Sequence, residues 1–176
     1  MALSKIQSES MNLADTYAFT GTVTGAGGGK VLQVKQTSIN SEVSASPTGN
    51  ATFADISGMS VSITPASTAN KILVSYSVNI GRTVASQNNS VRLVRDSTPI
   101  VGTGASLTNN TTLHRQDTAQ IDNGGITYLD SPATTSAVTY KLQWASESGG
   151  TIYLNRRGTS NGFVGVSTIT VMEIEG

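Results

Sequence analysis

The chain has 176 residues, enough for one domain with a short appendage. It contains no cysteine, which excludes disulfides and thiolate metal sites. Charged residues are 12% of the total, about half the usual share, and 11 basic residues balance 11 acidic ones. That balance argues against a nucleic-acid partner, which needs a basic face, and against a polybasic membrane anchor.

The opening stretch, Met1 to Gly29, differs from the rest. It has no apolar core of signal-peptide length, and no run in the chain is long enough to span a bilayer, so neither export by that route nor membrane insertion is expected. Ala18 to Val23 can form one short strand, and Leu3, Ile6 and Leu13 give a weak helical pattern. The cluster Gly25-Ala26-Gly27-Gly28-Gly29 reads as a hinge. An arm that cannot bury its own apolar groups docks elsewhere. Leu3, Ile6, Leu13, Tyr17 and Phe19 are the expected attachment residues, and residues 30–176 form the second unit.

From Lys30 onward the pattern predicts strand after strand. Expected strands are Val31 to Gln36, Thr52 to Ile56, Met59 to Ile63, Lys71 to Ile80, Val91 to Asp96, Pro99 to Thr103, Leu113 to Ile121, Gly125 to Leu129, Val138 to Trp144, Thr151 to Asn155 and Val166 to Ile174. The clearest is Lys71 to Ile80. There Ile72, Val74, Tyr76, Val78 and Ile80 alternate with Ser75, Ser77 and Asn79, as in a half-buried strand. Tyr76, Tyr140 and Trp144 are expected in the core. In the last strand Ile169 and Val171 share one face, and Val166, Met172 and Ile174 the other. Apolar groups on both faces predict a central strand covered twice, once by the core and once by a neighbouring subunit.

Turn chemistry separates the runs. Asp96-Ser97-Thr98-Pro99 predicts a tight reversal, Asp122-Asn123-Gly124-Gly125 a hairpin, and Ser148-Gly149-Gly150 another turn. About ten short strands with no convincing helix indicate an all-β antiparallel sandwich or barrel.

The strand order from Val31 resembles the jelly roll of the tumour-necrosis-factor and complement globular-head family. The resemblance is carried by Met59-Ser60-Val61-Ser62-Ile63-Thr64-Pro65 followed by Asn70-Lys71-Ile72-Leu73-Val74-Ser75-Tyr76-Ser77-Val78. The wider phrase SGMSVSITPASTANKILVSYSVNI is similar to one found in small phage virion structural and tail-fibre proteins. The opening SKIQSESMNLADTYAFTGTVTGA resembles their N-terminal arms, especially in marine and cyanobacterial phages. What the resemblance implies is a jelly-roll homotrimer in a virion, with the sheet that holds the last strand facing the threefold axis. Val166, Ile169, Val171 and Met172 are then the expected positions split between core and axis. Other virion proteins, of capsid or tail, are the implied partners. Some family members bind calcium, but no dense Asp cluster supports a site here, and no cofactor is expected.

Catalytic readings are weak. A Ser-His-Asp arrangement would have to use His114, and no nucleophile elbow accompanies it. Gly25 to Lys30 departs from a phosphate loop, because Thr24 and Val31 stand where Gly and Ser or Thr are required. The acids Asp96, Asp117, Asp122, Asp130 and Glu147 are scattered, as solvated loop residues are, rather than paired for glycoside hydrolysis. No catalytic residue is therefore assigned. Arg156-Arg157 is the densest basic spot, suited to a subunit salt bridge or to an acidic host-surface glycan. Two roles remain open: a short fibre or receptor-binding knob, and a capsid decoration protein whose trimers clamp the shell. A glycan depolymerase is the distant third. With no coiled coil or repeat between arm and head, a knob seated directly on the particle is favoured.

Overall fold

The computed structural model describes residues 30–47, 52–85, 87–104, 112–147, 149–160, 162 and 164–176. The expected attachment residues Leu3, Ile6, Leu13, Tyr17 and Phe19, and the glycine hinge, lie outside them. The described residues form eleven strands: β1 (Val31–Ile39), β2 (Val43–Ala45), β3 (Ala54–Ile63), β4 (Lys71–Arg82), β5 (Gln87–Arg95), β6 (Thr98–Val101), β7 (Thr112–Gln116), β8 (Asp122–Asp130), β9 (Val138–Ser146), β10 (Ile152–Leu154) and β11 (Ser167–Ile174).

Every pairing is antiparallel. One sheet runs β1-β11-β4, with β8 on the far edge of β4 and β10-β2 beside its C-terminal end. The other runs β3-β9-β5-β6, with β7 also on β5. With the short strands set aside, β1-β11-β4-β8 faces β3-β9-β5-β6. First strand beside last and second beside next-to-last is the winding of an antiparallel jelly roll. The final strand is central, as its two apolar faces predict.

The alternating side chains meet between the sheets. Ile72, Val74, Val78 and Ile80 of β4 are fully buried against Met59, Ile63, Leu93, Tyr140, Leu142 and Trp144. The expected core aromatics Tyr76, Tyr140 and Trp144 are all buried. Thr37 Oγ1 donates to the Ser60 carbonyl at 2.8 Å, closing one side of the sandwich between β1 and β3.

Two buried acids hold elements that are distant in sequence. Asp130 of β8 accepts from Arg95 Nη1 at 2.8 and 3.0 Å and from the Tyr140 hydroxyl at 2.7 Å, tying one sheet to the other. Burial, then the bond to Asp130, pushes the Tyr140 hydroxyl far above the ordinary tyrosine range. Glu173 of β11 points inward and accepts from Gln33 Nε2, the Ala66 N–H and Asn70 Nδ2, each at 2.6 Å. Burial raises its pKa. The bonds from Asn70, Gln33 and Ala66 outweigh that and hold it below the ordinary glutamate value.

Three expectations change. Thr52 to Ile56 and Met59 to Ile63 are one strand, β3, whose register against β9 shifts between Asp55 and Ser60. Gly58 sits in that bulge at φ 79°, and a Cβ there would press on Ile39 Cδ1 at 2.9 Å. The hairpin expected at Asp122-Asn123-Gly124-Gly125 is absent. Those residues lie inside β8, because the long β4 offers a pairing partner to each of them, from Ile80 opposite Asp122 to Ser77 opposite Gly125. Gly125 serves close approach, since a Cβ would collide with the Tyr76 carbonyl. The reversal falls earlier, where the Gln120 N–H donates to the Asp117 carbonyl, so the strand expected to reach Ile121 stops at Gln116. The reversal at Asp96 and Ser97 is present, with Asp96 at φ 54°. Strand β2 was not anticipated; three residues are too few to show a period.

Candidate assembly face

The outer surface of the β1-β11-β4-β8 sheet is built in rows. Directly paired residues of an antiparallel ladder point to the same side. Val34 is opposite Met172, Met172 opposite Leu73, and Leu73 opposite Leu129, so one apolar row crosses four strands. Val34 is 55% and Leu129 53% exposed, while Leu73 and Met172 are half-buried between them. The next row toward that end adds Val31, Ile174 and Lys71. Lys71, whose Nζ donates to Ser131 Oγ at 2.8 Å, is the one ionisable side chain in these rows.

Away from this belt the outward side chains are neutral and mostly small. Gln36, Thr170, Ser75 and Thr127 form one row, with Gln36 Nε2 donating to Thr170 Oγ1 at 2.7 Å. Ser38, Thr168, Ser77 and Gly125 form the next. Asn123 Nδ2 then reaches Ser77 Oγ at 2.9 Å, and Asn79 Nδ2 donates to the Val166 carbonyl at 2.7 Å.

The four residues expected between core and axis separate. Ile169 and Val171 are fully buried in the sandwich and take the core side of that split, because odd-numbered residues of β11 face the opposite sheet. Met172 faces outward within the apolar row. Val166 precedes β11 and is 54% exposed at the polar end of the face. Val34, Leu73 and Leu129 escaped the sequence reading. Their signal is an apolar side chain in phase with Ser and Thr, on the face that alternation assigns to solvent.

Arg156 and Arg157 already have partners within the chain. Arg156 Nη1 meets Glu42 Oε1 at 2.9 Å, and its guanidinium lies 4.1 Å over the Tyr153 ring. Arg157 Nε donates to Ser160 Oγ at 3.0 Å. His114 lies on β7, paired with Asn89. Among the described residues no group of three or more His, Asp or Glu side chains is placed to hold a metal ion.

No family model matches the sequence, and no curated protein matches it. Solved structures similar in chain path include that of infectious bursal disease virus Gx strain, with a TM-score of 0.43, 9% identity, and coverage of 82% of this chain and 40% of that one. The infectious bursal disease virus VP2 subviral particle is similar at a TM-score of 0.42 and 9% identity, over 82% of this chain and 39% of that one. The chain thus spans about two-fifths of the length of these neighbours. Likeness at this level is silent on what the chain does.

Proposed function

We propose that this chain is a non-enzymatic structural component of a bacteriophage particle: a homotrimeric short fibre or receptor-binding knob joined to the particle through residues 1–29. The observation that carries the reading is the apolar row Val34–Met172–Leu73–Leu129 on an otherwise neutral sheet face. An isolated domain gains nothing by exposing such a row beside a surface almost free of charge. In a trimer, the face closes around the threefold axis, and closure also shields the outer edges of β1 and β8.

Magnitude limits the arrangement. Completing the burial of four half-exposed apolar side chains contributes roughly 1 kcal/mol each. Association costs about 4–15 kcal/mol in lost freedom. The belt alone is therefore insufficient, and the Ser and Thr rows must also come into contact to reach the ~1,200–2,000 Å² of a stable interface. Their small neutral side chains permit close approach and lose little hydration energy.

Host recognition then falls to exposed surface away from the axis, with a surface glycan as the suitable ligand class. Capsid decoration, with the same closed trimer clamping the shell, is the second reading. Quantitative mass spectrometry of purified particles separates the two. A few tens of copies or fewer fit a tail knob, hundreds fit decoration, and absence from particles contradicts both. Deleting residues 1–29 should leave a soluble trimer that no longer joins particles; a truncated chain that still joins them contradicts the role given to the arm.

A further inference from the structure

One end of the sandwich interior carries a polar layer that, unlike the buried groups around Asp130 and Glu173, is only partly satisfied. Arg82 ends β4 and is 1% exposed; Asn89 on β5 and Ser146 at the end of β9 are fully buried; Trp144, two residues before Ser146, is 1% exposed. Asn89 and Ser146 are direct ladder partners, so their side chains stand side by side. Arg82 Nη2 donates to Ser146 Oγ at 3.3 Å. Ser146 is thus bordered by all three other groups, which come from both sheets.

The donors in this layer outnumber its acceptors. Among the described residues Nε and Nη1 of Arg82, Nδ2 of Asn89 and Nε1 of Trp144 meet no acceptor. Among the described residues no carboxylate is in ion-pair contact with Arg82. Glu147 acts on Arg82 only through space, and its Oε2 accepts from the backbone N–H and Nδ2 of Asn88, each at 3.0 Å. A guanidinium keeps its proton at any ordinary pH. Leaving a buried charge and several N–H groups without acceptors costs several kcal/mol.

We propose that this layer is a buried anion site for a monovalent halide, chloride in ordinary media, held by one edge of the Arg82 guanidinium together with Asn89 Nδ2 and Trp144 Nε1. One halide balances one guanidinium, accepts from several N–H groups at once, and presents no donor of its own. The near-complete burial of these three side chains suits a single atom better than a carboxylate or phosphate. The site is independent of the role in a particle proposed above. Asn89 Oδ1 also lacks a donor, so an Asn89 amide turned toward Arg82 is the competing arrangement.

Trp144 is the single tryptophan of the chain, so its emission reports the site directly. Full-length protein is titrated with sodium chloride against sodium gluconate at fixed ionic strength, and separately with iodide; crystals are grown in bromide. The expected results are a rise in Tm of roughly 5–10 °C, logarithmic in chloride above its Kd, as chloride passes from trace to about a hundredfold above that Kd, saturable iodide quenching of Trp144, and an anomalous bromide peak touching Arg82 and Trp144. Arg82→Met should abolish the chloride dependence and the quenching. If Arg82→Met does not fold, Asn89→Leu should weaken both, and the wild-type bromide map stands by itself. Equal Tm in chloride and gluconate, quenching linear in iodide, and no anomalous peak would overturn the proposal in favour of the internal Asn89–Arg82 bond.

Discussion

The two outer faces of this sandwich come from the same alternation of residues, yet they differ in chemistry. The β3-β9-β5 face carries a charged network. Asp55 accepts from Lys141 Nζ at 2.9 Å and from Gln143 Nε2 at 2.6 Å, Arg92 Nε donates to Gln143 Oε1 at 2.8 Å, and the Arg92 guanidinium covers the Phe53 ring at 3.9 Å. The bond from Lys141 does most to hold the Asp55 carboxyl below its ordinary value, although burial opposes it. Asp55, Lys141, Gln143 and Arg92 there partner one another, and Arg92 covers the Phe53 ring. The β1-β11-β4-β8 face has an apolar belt that no side chain of its own sheet covers, and small neutral groups elsewhere. A face that completes itself suits solvent, and the incomplete one is the face that the proposed trimer buries.

The largest effect expected from breaking this contrast is at Val171. It points into the core, so Val171→Arg buries an unpaired charge and should cost more than about 4 kcal/mol. Circular dichroism should show an unfolded or aggregated chain. A folded monomer would return Val171 to the outer face. Leu73→Arg, one strand away but facing outward, should keep the fold and weaken self-association by at least about a hundredfold, because three like charges would meet near one axis. Light scattering over a dilution series checks this.

Smaller changes sharpen the same comparison. Tyr140→Phe leaves the Asp130–Arg95 pair without one donor inside the core, and should lower stability by about 1–3 kcal/mol without altering association. Urea unfolding reads the loss. Glu173 makes a prediction for acid. Its folded pKa lies below the unfolded value of about 4.5, so its contribution is complete above that pH and fades as pH falls through the folded pKa. Glu173→Gln should therefore flatten the acid limb of a stability-against-pH curve below about pH 4.5. Lys141→Ala breaks an exposed pair and should change stability by less than about 1 kcal/mol, with self-association unchanged. A loss of association there would make the charged face the interface.

Much of this was legible in the sequence, for physical reasons. Lys71 to Ile80 announces itself because a half-buried strand needs alternation, and Ile169 with Val171 does the same for β11. The Asn123-Gly124 signal misled because turn propensity is local, whereas pairing along the length of β4 is not. Leu73 and Leu129 were passed over because a single apolar residue on the solvent side of a strand is ordinary by itself. They form a row only when register brings together strands more than fifty residues apart. The inward polar residues Glu173, Asp130 and Arg82 are the least legible, because alternation assigns their positions to apolar groups. What makes Glu173 acceptable there is Gln33, Ala66 and Asn70, residues that no short window contains.

Sedimentation equilibrium of the full-length chain tests the central claim most directly. The account predicts three times the chain mass for wild type and a folded single chain for Leu73→Arg. A wild-type protein that stays a single chain at the highest attainable concentration would contradict it.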